Sequence, residues 1–207
     1  MTLSEMKSSV RTQLNESGTE FYSDADIAAS LQEGLDEMAD LTEYFERYAN
    51  IPVKTSHTYY DLRTVLPDTF LSPRRIWNST TQRWLRPTDA RDLDDHNFVQ
   101  WELTSGQPEA YFVRGSWWLG TWPKASSDVG QLRFVYTAIP DDLENQESPA
   151  FPREFHAGIV DYAVYDLMAQ QRETAKAMKY WESFLLHAAR LGQHVQKRQQ
   201  IARRDIL

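Results

Sequence analysis

The 207-residue chain contains no cysteine. That excludes a disulfide framework, a cysteine nucleophile and thiolate metal ligation. No apolar run approaches the roughly 18–20 residues a membrane helix requires, so no membrane partner is expected. The eight glycines, Gly18 to Gly192, build neither a phosphate loop nor a dinucleotide fingerprint after a strand. The Gly-x-Ser-x-Gly nucleophile elbow is absent. His187 and His194 stand seven apart on one expected helix, too far for the i,i+4 pair of a zinc helix. The opening Met1-Thr2-Leu3-Ser4-Glu5 lacks the basic-then-apolar order of a secretory signal. The chain is therefore expected to stay inside a cell, or to be built into something assembled there.

Against these absences, aromatics are abundant: 13% of the residues, with seven Trp and ten Tyr. The apolar share of 41% is ordinary for a globular protein and supports a packed core. Charge is uneven within a net of −8. Residues 1–50 carry eleven acids against Lys7, Arg11 and Arg47. Residues 183–204 carry Arg190, Lys197, Arg198, Arg203 and Arg204 with no acid. One reading is a solvated helix face plus a basic tail; the other is that each end meets a surface of opposite sign.

Thr2 and Glu5 fit a capping box, and Leu3, Met6, Val10 and Leu14 follow at helical spacing, predicting a helix over 3–16 that Gly18 stops. Ser23 caps a second helix, predicted over 24–49, whose stripe runs Ile27, Leu31, Leu35, Met38, Leu41, Phe45 and Tyr48 up to Pro52. Alternation over 53–61 predicts a strand. Arg74–Trp77 and Arg83–Arg86 read as hairpin arms around Asn78–Thr81. A short capped helix follows at 88–94, then strands at 110–114, 116–122 and 131–138. Together they suggest an antiparallel meander of five or six strands. A polar connector covers 139–151, Pro152 suits the first position of a third helix, and a fourth runs from Glu173 to about 203. At about 1.5 Å per residue that last helix would span roughly 45 Å. The fold class is α+β: a helical body of four main helices from both chain ends (1–50 and 152–190), an inserted small β-module with one short helix (51–140), a connector over 141–151, and a basic tail over 191–207 on the long C-terminal helix, projecting from the core.

Chemistry is sparse. Asp92, Asp94, Asp95 and His96 on a short polar helix read as solvated, and Asp141, Asp142 and Glu144 follow a turn pattern. No acid pair with environments that would push its pKa values apart is visible, so no enzyme, metal or cofactor is expected. Trp77, Trp84, Trp101, Trp117, Trp118 and Trp122 all fall in the β-region. Neighbouring Trp117 and Trp118 point to opposite faces of one strand and cannot both enter one core, which leaves one for a second layer or a partner. Ligand stacking with Arg74, Arg75, Arg83, Arg86 and Arg114 stays open.

The ordered set of segments resembles the head-to-tail adaptor (connector) proteins of tailed bacteriophages. It comprises Phe21-Tyr22-Ser23-Asp24-Ala25-Asp26-Ile27, Leu71-Ser72-Pro73-Arg74-Arg75-Ile76-Trp77, Gly106-Gln107-Pro108-Glu109-Ala110-Tyr111-Phe112, Trp118-Leu119-Gly120-Thr121-Trp122-Pro123, Leu132-Arg133-Phe134-Val135-Tyr136, and the return from Phe151-Pro152-Arg153 to Asp161-Tyr162-Ala163. The likeness covers nearly the whole chain, in order and texture. It implies a structural virion protein at the head–tail junction, assembled in the host cytoplasm. Such a protein forms a ring, commonly of about twelve copies, that joins portal to tail or nozzle protein and continues the DNA channel without specific DNA binding. On this resemblance Arg190, Lys197, Arg198, Ile201, Arg203, Arg204 and Leu207 would bind the portal. Asp36, Asp40 and Glu43 would line the channel, and Trp117 and Trp118 would meet the tail. The alternatives are a nucleic-acid-binding accessory protein using the basic tail and a cell-wall-acting enzyme.

Overall fold

The computed structural model describes residues 1–16, 21–55, 57–97, 101–145 and 148–204, with side chains except those of 96, 97, 145 and 198–204. In chain order the elements are α1 (Leu3–Leu14), α2 (Asp24–Thr42), β1 (Glu46–Pro52), β2 (Tyr59–Asp61), β3 (Phe70–Asn78), β4 (Arg83–Trp84), β5 (Arg86–Pro87) and α3 (Ala90–Asn97). Then come β6 (Ser105–Gly106), β7 (Ala110–Arg114), β8 (Trp118–Trp122), β9 (Lys124–Ala125), β10 (Gln131–Ala138), α4 (His156–Gln170) and α5 (Thr174–Arg204). The class is α+β, with five α-helices among the described residues and a long C-terminal helix. The chain divides into two compact units: Met1–Phe45 with Ile139–Leu207, and Glu46–Ala138.

The helical unit starts with two capping boxes. Thr2 accepts from the Glu5 amide while Glu5 accepts from the Thr2 amide; Ser23 and Asp26 repeat the exchange. Such a cap contributes about 1 kcal/mol by satisfying N–H groups the helix leaves open. The stop expected at Gly18 lies outside the described residues. The core joins Met6 and Val10 of α1, Ile27, Leu31, Leu35 and Met38 of α2, Ile159, Val160 and Leu167 of α4, and Phe184 and Leu191 of α5.

Several expectations for this unit are corrected. The second helix ends at Thr42, not 49, because Glu43 takes the left-handed conformation (φ 48°). Phe45 does not extend the stripe: with Tyr44 it folds back onto Phe151, ring centroids 4.8 and 5.2 Å away. The expected polar connector is partly core, since Leu143 and Phe151 are buried there and the Leu143 amide donates to Gln32. Pro152 precedes a short 3₁₀ turn, Arg153–Phe155, and α4 begins only at His156.

In the β unit, Glu46–Pro52 pairs residue for residue with Gln131–Thr137, and this long-range pairing takes Tyr48 into a strand instead of a helix. The expected strand over 53–61 is two pieces: β1 stops at Pro52, and β2 belongs to the other sheet, beside β8. Among the described residues the strands do not form the expected meander. The strands form two four-stranded sheets, β1-β10-β3-β4 and β2-β8-β7-β5, plus the pair β6-β9; β5–β7 and β6–β9 are parallel. β10 inserts between β1 and β3, so chain neighbours are not sheet neighbours. The first two sheets share a core of Ile51, Ile76, Leu132, Phe134, Tyr60, Tyr111 and Leu119. A smaller cluster joins Leu93 of α3, Trp101 and Phe112. Trp101 sits on a 3₁₀ turn, Trp101–Leu103, within the β unit.

Candidate assembly interfaces

The inner side of α5 buries Ala177, Phe184, Ala188 and Leu191, while Met178, Leu185 and Leu186 remain exposed on its outer side. A single helix thus carries two apolar faces, and only one finds a partner inside its own unit. Farther along, Arg190 and Lys197 are exposed and border a shallow groove of about 290 Å³ with Glu154, Phe155 and His194. Leu191, the first residue of the expected tail, is fully buried, so α5 stays packed past residue 190. Arg198, Ile201, Arg203 and Arg204 lie on the helix, but their side chains are outside the description; Leu207 is outside the described residues altogether.

The acids expected at the channel have different surroundings. Asp36 is half-buried: burial raises its carboxyl above the usual carboxylate range, a hydrogen bond from Gln32 opposes this, and Asp142 and Glu33 add to the rise. Asp40 is exposed, and Glu43 forms the left-handed cap of α2. Leu41 is exposed beside them. Burial of the Tyr162 phenol, then the fields of Glu33 and Glu37, push it up to about 12, so it stays neutral beneath this acidic helix.

Trp117 and Trp118 are both surface residues, 37% and 44% exposed, and neither enters a core. The expected strand from Ser116 begins only at Trp118, because Gly115 (φ 60°) turns the chain. Trp117 stands 6.0 Å from the Phe70 ring, and the Arg63 guanidinium lies 5.8 Å from the Trp118 ring.

Sequence reasoning missed a larger feature, on the outer face of the first sheet. Trp77 is paired with Trp84 on one side and Arg133 on the other; Val135 is paired with both Arg75 and Tyr48. Directly paired residues share a face, so an arginine–aromatic surface runs across four strands. Its parts are preorganised. The Arg75 guanidinium lies 4.5 Å from the Trp84 ring, Arg133 lies 5.0 Å from the Tyr48 ring, and the two Trp rings meet edge-on at 5.2 Å. Glu46 stands 3.8 Å from Arg75 at the rim. Tyr48 is 62% and Trp84 46% exposed. The signal for Trp77 and Trp84 was present in the hairpin reading. Tyr48 and Arg133 joined it only through pairing between distant segments.

Among the described residues, no three His, Asp or Glu gather to hold a metal ion, and no helix is long and apolar enough to cross a membrane. Asp94 accepts a hydrogen bond from the Trp101 indole N–H at 2.6 Å, a structural link between α3 and the following turn. These arrangements suit contact with other macromolecules. No curated protein matches the chain. A family model described as SU10 adaptor protein matches residues 1–205. The chain therefore belongs to the SU10 adaptor protein family, a phage head–tail adaptor family, and is a structural component of the virion that associates with portal and tail components.

Proposed function

We propose that this adaptor forms a ring that joins the portal to the tail and continues the DNA channel, docking on the portal through the basic end of α5. The observation carrying the reading is α5 itself. Its outer apolar face of Met178, Leu185 and Leu186 lacks an occupant within its own unit, and Arg190 and Lys197 stand exposed beyond it. Large exposed apolar residues beside cations mark contact surfaces in a protein otherwise well packed. Repeated identical contacts let each copy's modest affinity add up around a ring. Charge fits a DNA passage: the helical unit holds twenty acids against eleven bases, and such a surface repels phosphate. Trp117 and Trp118 offer the β unit an aromatic contact for the tail component.

The test is a chain truncated after Lys197, compared with Arg190→Glu/Lys197→Glu in the full chain. Both keep Leu191 in the core and are expected to show wild-type circular dichroism. Co-sedimentation with purified portal is expected to be lost in both. Portal binding at wild-type strength in both would refute docking through α5.

A further inference from the structure

Charge in the β unit is segregated. Residues 89–102 hold five acids, Asp89, Asp92, Asp94, Asp95 and Glu102, against Arg91 alone. The rest of Glu46–Ala138 holds ten bases against five acids. The acidic segment forms one pole of this near-neutral unit and Arg75 with Arg133 on the first sheet the other, while Arg114 lies beside Tyr59, the hydrogen-bond partner of Glu102.

The layers place the two poles on opposite sides. In the first sheet, Ile76 and Phe134 point into the core shared with the second sheet, so their strand neighbours Trp77 and Arg133 point outward. In the second sheet, Tyr111 points into that same core, and the next residue, Phe112, points away from it, onto Leu93 and Trp101. The arginine–aromatic face and the acidic α3 are thus separated by both sheets. They cannot neutralise each other within one copy.

Each pole has the make-up of half an interface. The cationic side offers guanidiniums stacked on Trp84 and Tyr48, which fixes them in place; Arg75 also stands 3.8 Å from Glu46, a contact that leaves most of its five N–H donors for a further carboxylate. Aromatic residues and Arg are the types that dominate binding energy at interfaces. The acidic side carries Asp92 and Asp95 on α3 and, on the following 3₁₀ turn, Glu102, which accepts a hydrogen bond from the Tyr59 hydroxyl at 2.7 Å, next to Leu103, which is 66% exposed and can lie on the aromatic rings.

From this complementarity we infer that the β units stack head to tail: the acidic α3 side of one copy, with Leu103, seats on the Arg75–Arg133–Trp84–Tyr48 face of a second copy. Unlike patches meeting in this way form a heterologous contact, the kind that generates a closed ring when the rotation between copies closes. The inference rests on the ring reading above and names which surfaces make it.

The test uses two reversals in the full chain, Arg75→Glu/Arg133→Glu and Asp95→Arg/Glu102→Arg, with sedimentation velocity alone and with purified portal. The wild type is expected to self-associate less as salt rises. Each reversed chain is expected to associate roughly a hundredfold more weakly, since like charges then face each other. Mixing the two reversed chains is expected to restore association, because every contact between unlike copies is again complementary. Assembly of both reversed chains at wild-type strength would overturn this interface and leave the ring standing. A wild type that stays monomeric alone and on portal would overturn both. Binding of a single-stranded oligonucleotide that is lost in Arg75→Glu/Arg133→Glu, with association intact, would give the face to nucleic acid and overturn the inference.

Discussion

Gly120 lies in β8, paired with Phe112 on one side and Tyr59 on the other. The two aromatic rings meet edge to face above it, centroids 5.9 Å apart. A Cβ at this position would lie 2.2 Å from Phe112 Cζ and 2.5 and 2.6 Å from the two ring Cε atoms. Three carbons of one ring fall inside contact distance, so the ring must move bodily by about 1 Å or more, and it is wedged against Trp101 at 5.5 Å. Overpacking of this kind costs about 1–3 kcal/mol, and a clash with a buried ring belongs at the upper end. Gly120→Ala is therefore expected to lose about 3 kcal/mol. With about 1–3 kcal/mol per M of urea, that lowers the unfolding midpoint of the β unit by about 1 M or more. Tryptophan fluorescence reports it, since six of the seven Trp lie in Glu46–Ala138. Phe112→Ala alone empties the same space and is expected to cost about 3–5 kcal/mol. Because the ring is what obstructs the methyl group, the double variant should be more stable than the sum of the two by about 2 kcal/mol. Additive energies, or a Gly120→Ala midpoint within about 0.2 M of wild type, would refute the account. Loosening this ring also loosens Trp101 and, through its indole N–H, Asp94 on the acidic helix.

Two more outcomes test the helical unit. His156 is buried; the Met1 amino group donates to its Nδ1 and its Nε2 donates to the Phe151 carbonyl, both at 2.8 Å, which describes a neutral ring. Burial foremost lowers its pKa below 6.5, with the positive amino terminus adding to this and carbonyl contacts opposing it. The unfolded chain thus takes up the proton first, so stability is full above about pH 6.5 and falls as pH drops below it towards the depressed folded value. Urea midpoints at pH 8 and pH 5 should differ for wild type by more than for His156→Asn, and equal pH slopes would refute the neutral buried ring. Phe184→Ala removes a fully buried ring that sits 5.1 Å from Tyr162 and 5.4 Å from Trp181, at an expected cost of about 3–5 kcal/mol in thermal unfolding followed by helical circular dichroism. A loss under about 1 kcal/mol would mean that the cavity collapses freely.

What the sequence made legible was local. The Thr2–Glu5 capping box and the Ser23 cap could be read from local spacings, and the buried stripes of α1 and α2, as far as Met38, from their 3.6-residue period. The end of α2 could not be read, because Phe45 and Tyr48 keep the helical period, and only pairing with residues some eighty positions away takes Tyr48 out of it. The same cause hid the arginine–aromatic face. Trp77 and Trp84 face each other across a hairpin, which nearby residues can specify. Arg133 reaches Trp77 only because β10 enters between β1 and β3, and shifts in register near Val135 and Thr137 set which side chains align. A one-residue slip would turn Arg133 into the core and Phe134 to solvent. The buried row Leu132–Phe134–Tyr136 forbids that slip, so the hydrophobic core, by fixing register, also fixes where the cations stand. An interface of this type is thus encoded twice: its residue types are visible in the chain, while its geometry is set by the residues on the opposite side of the same strand.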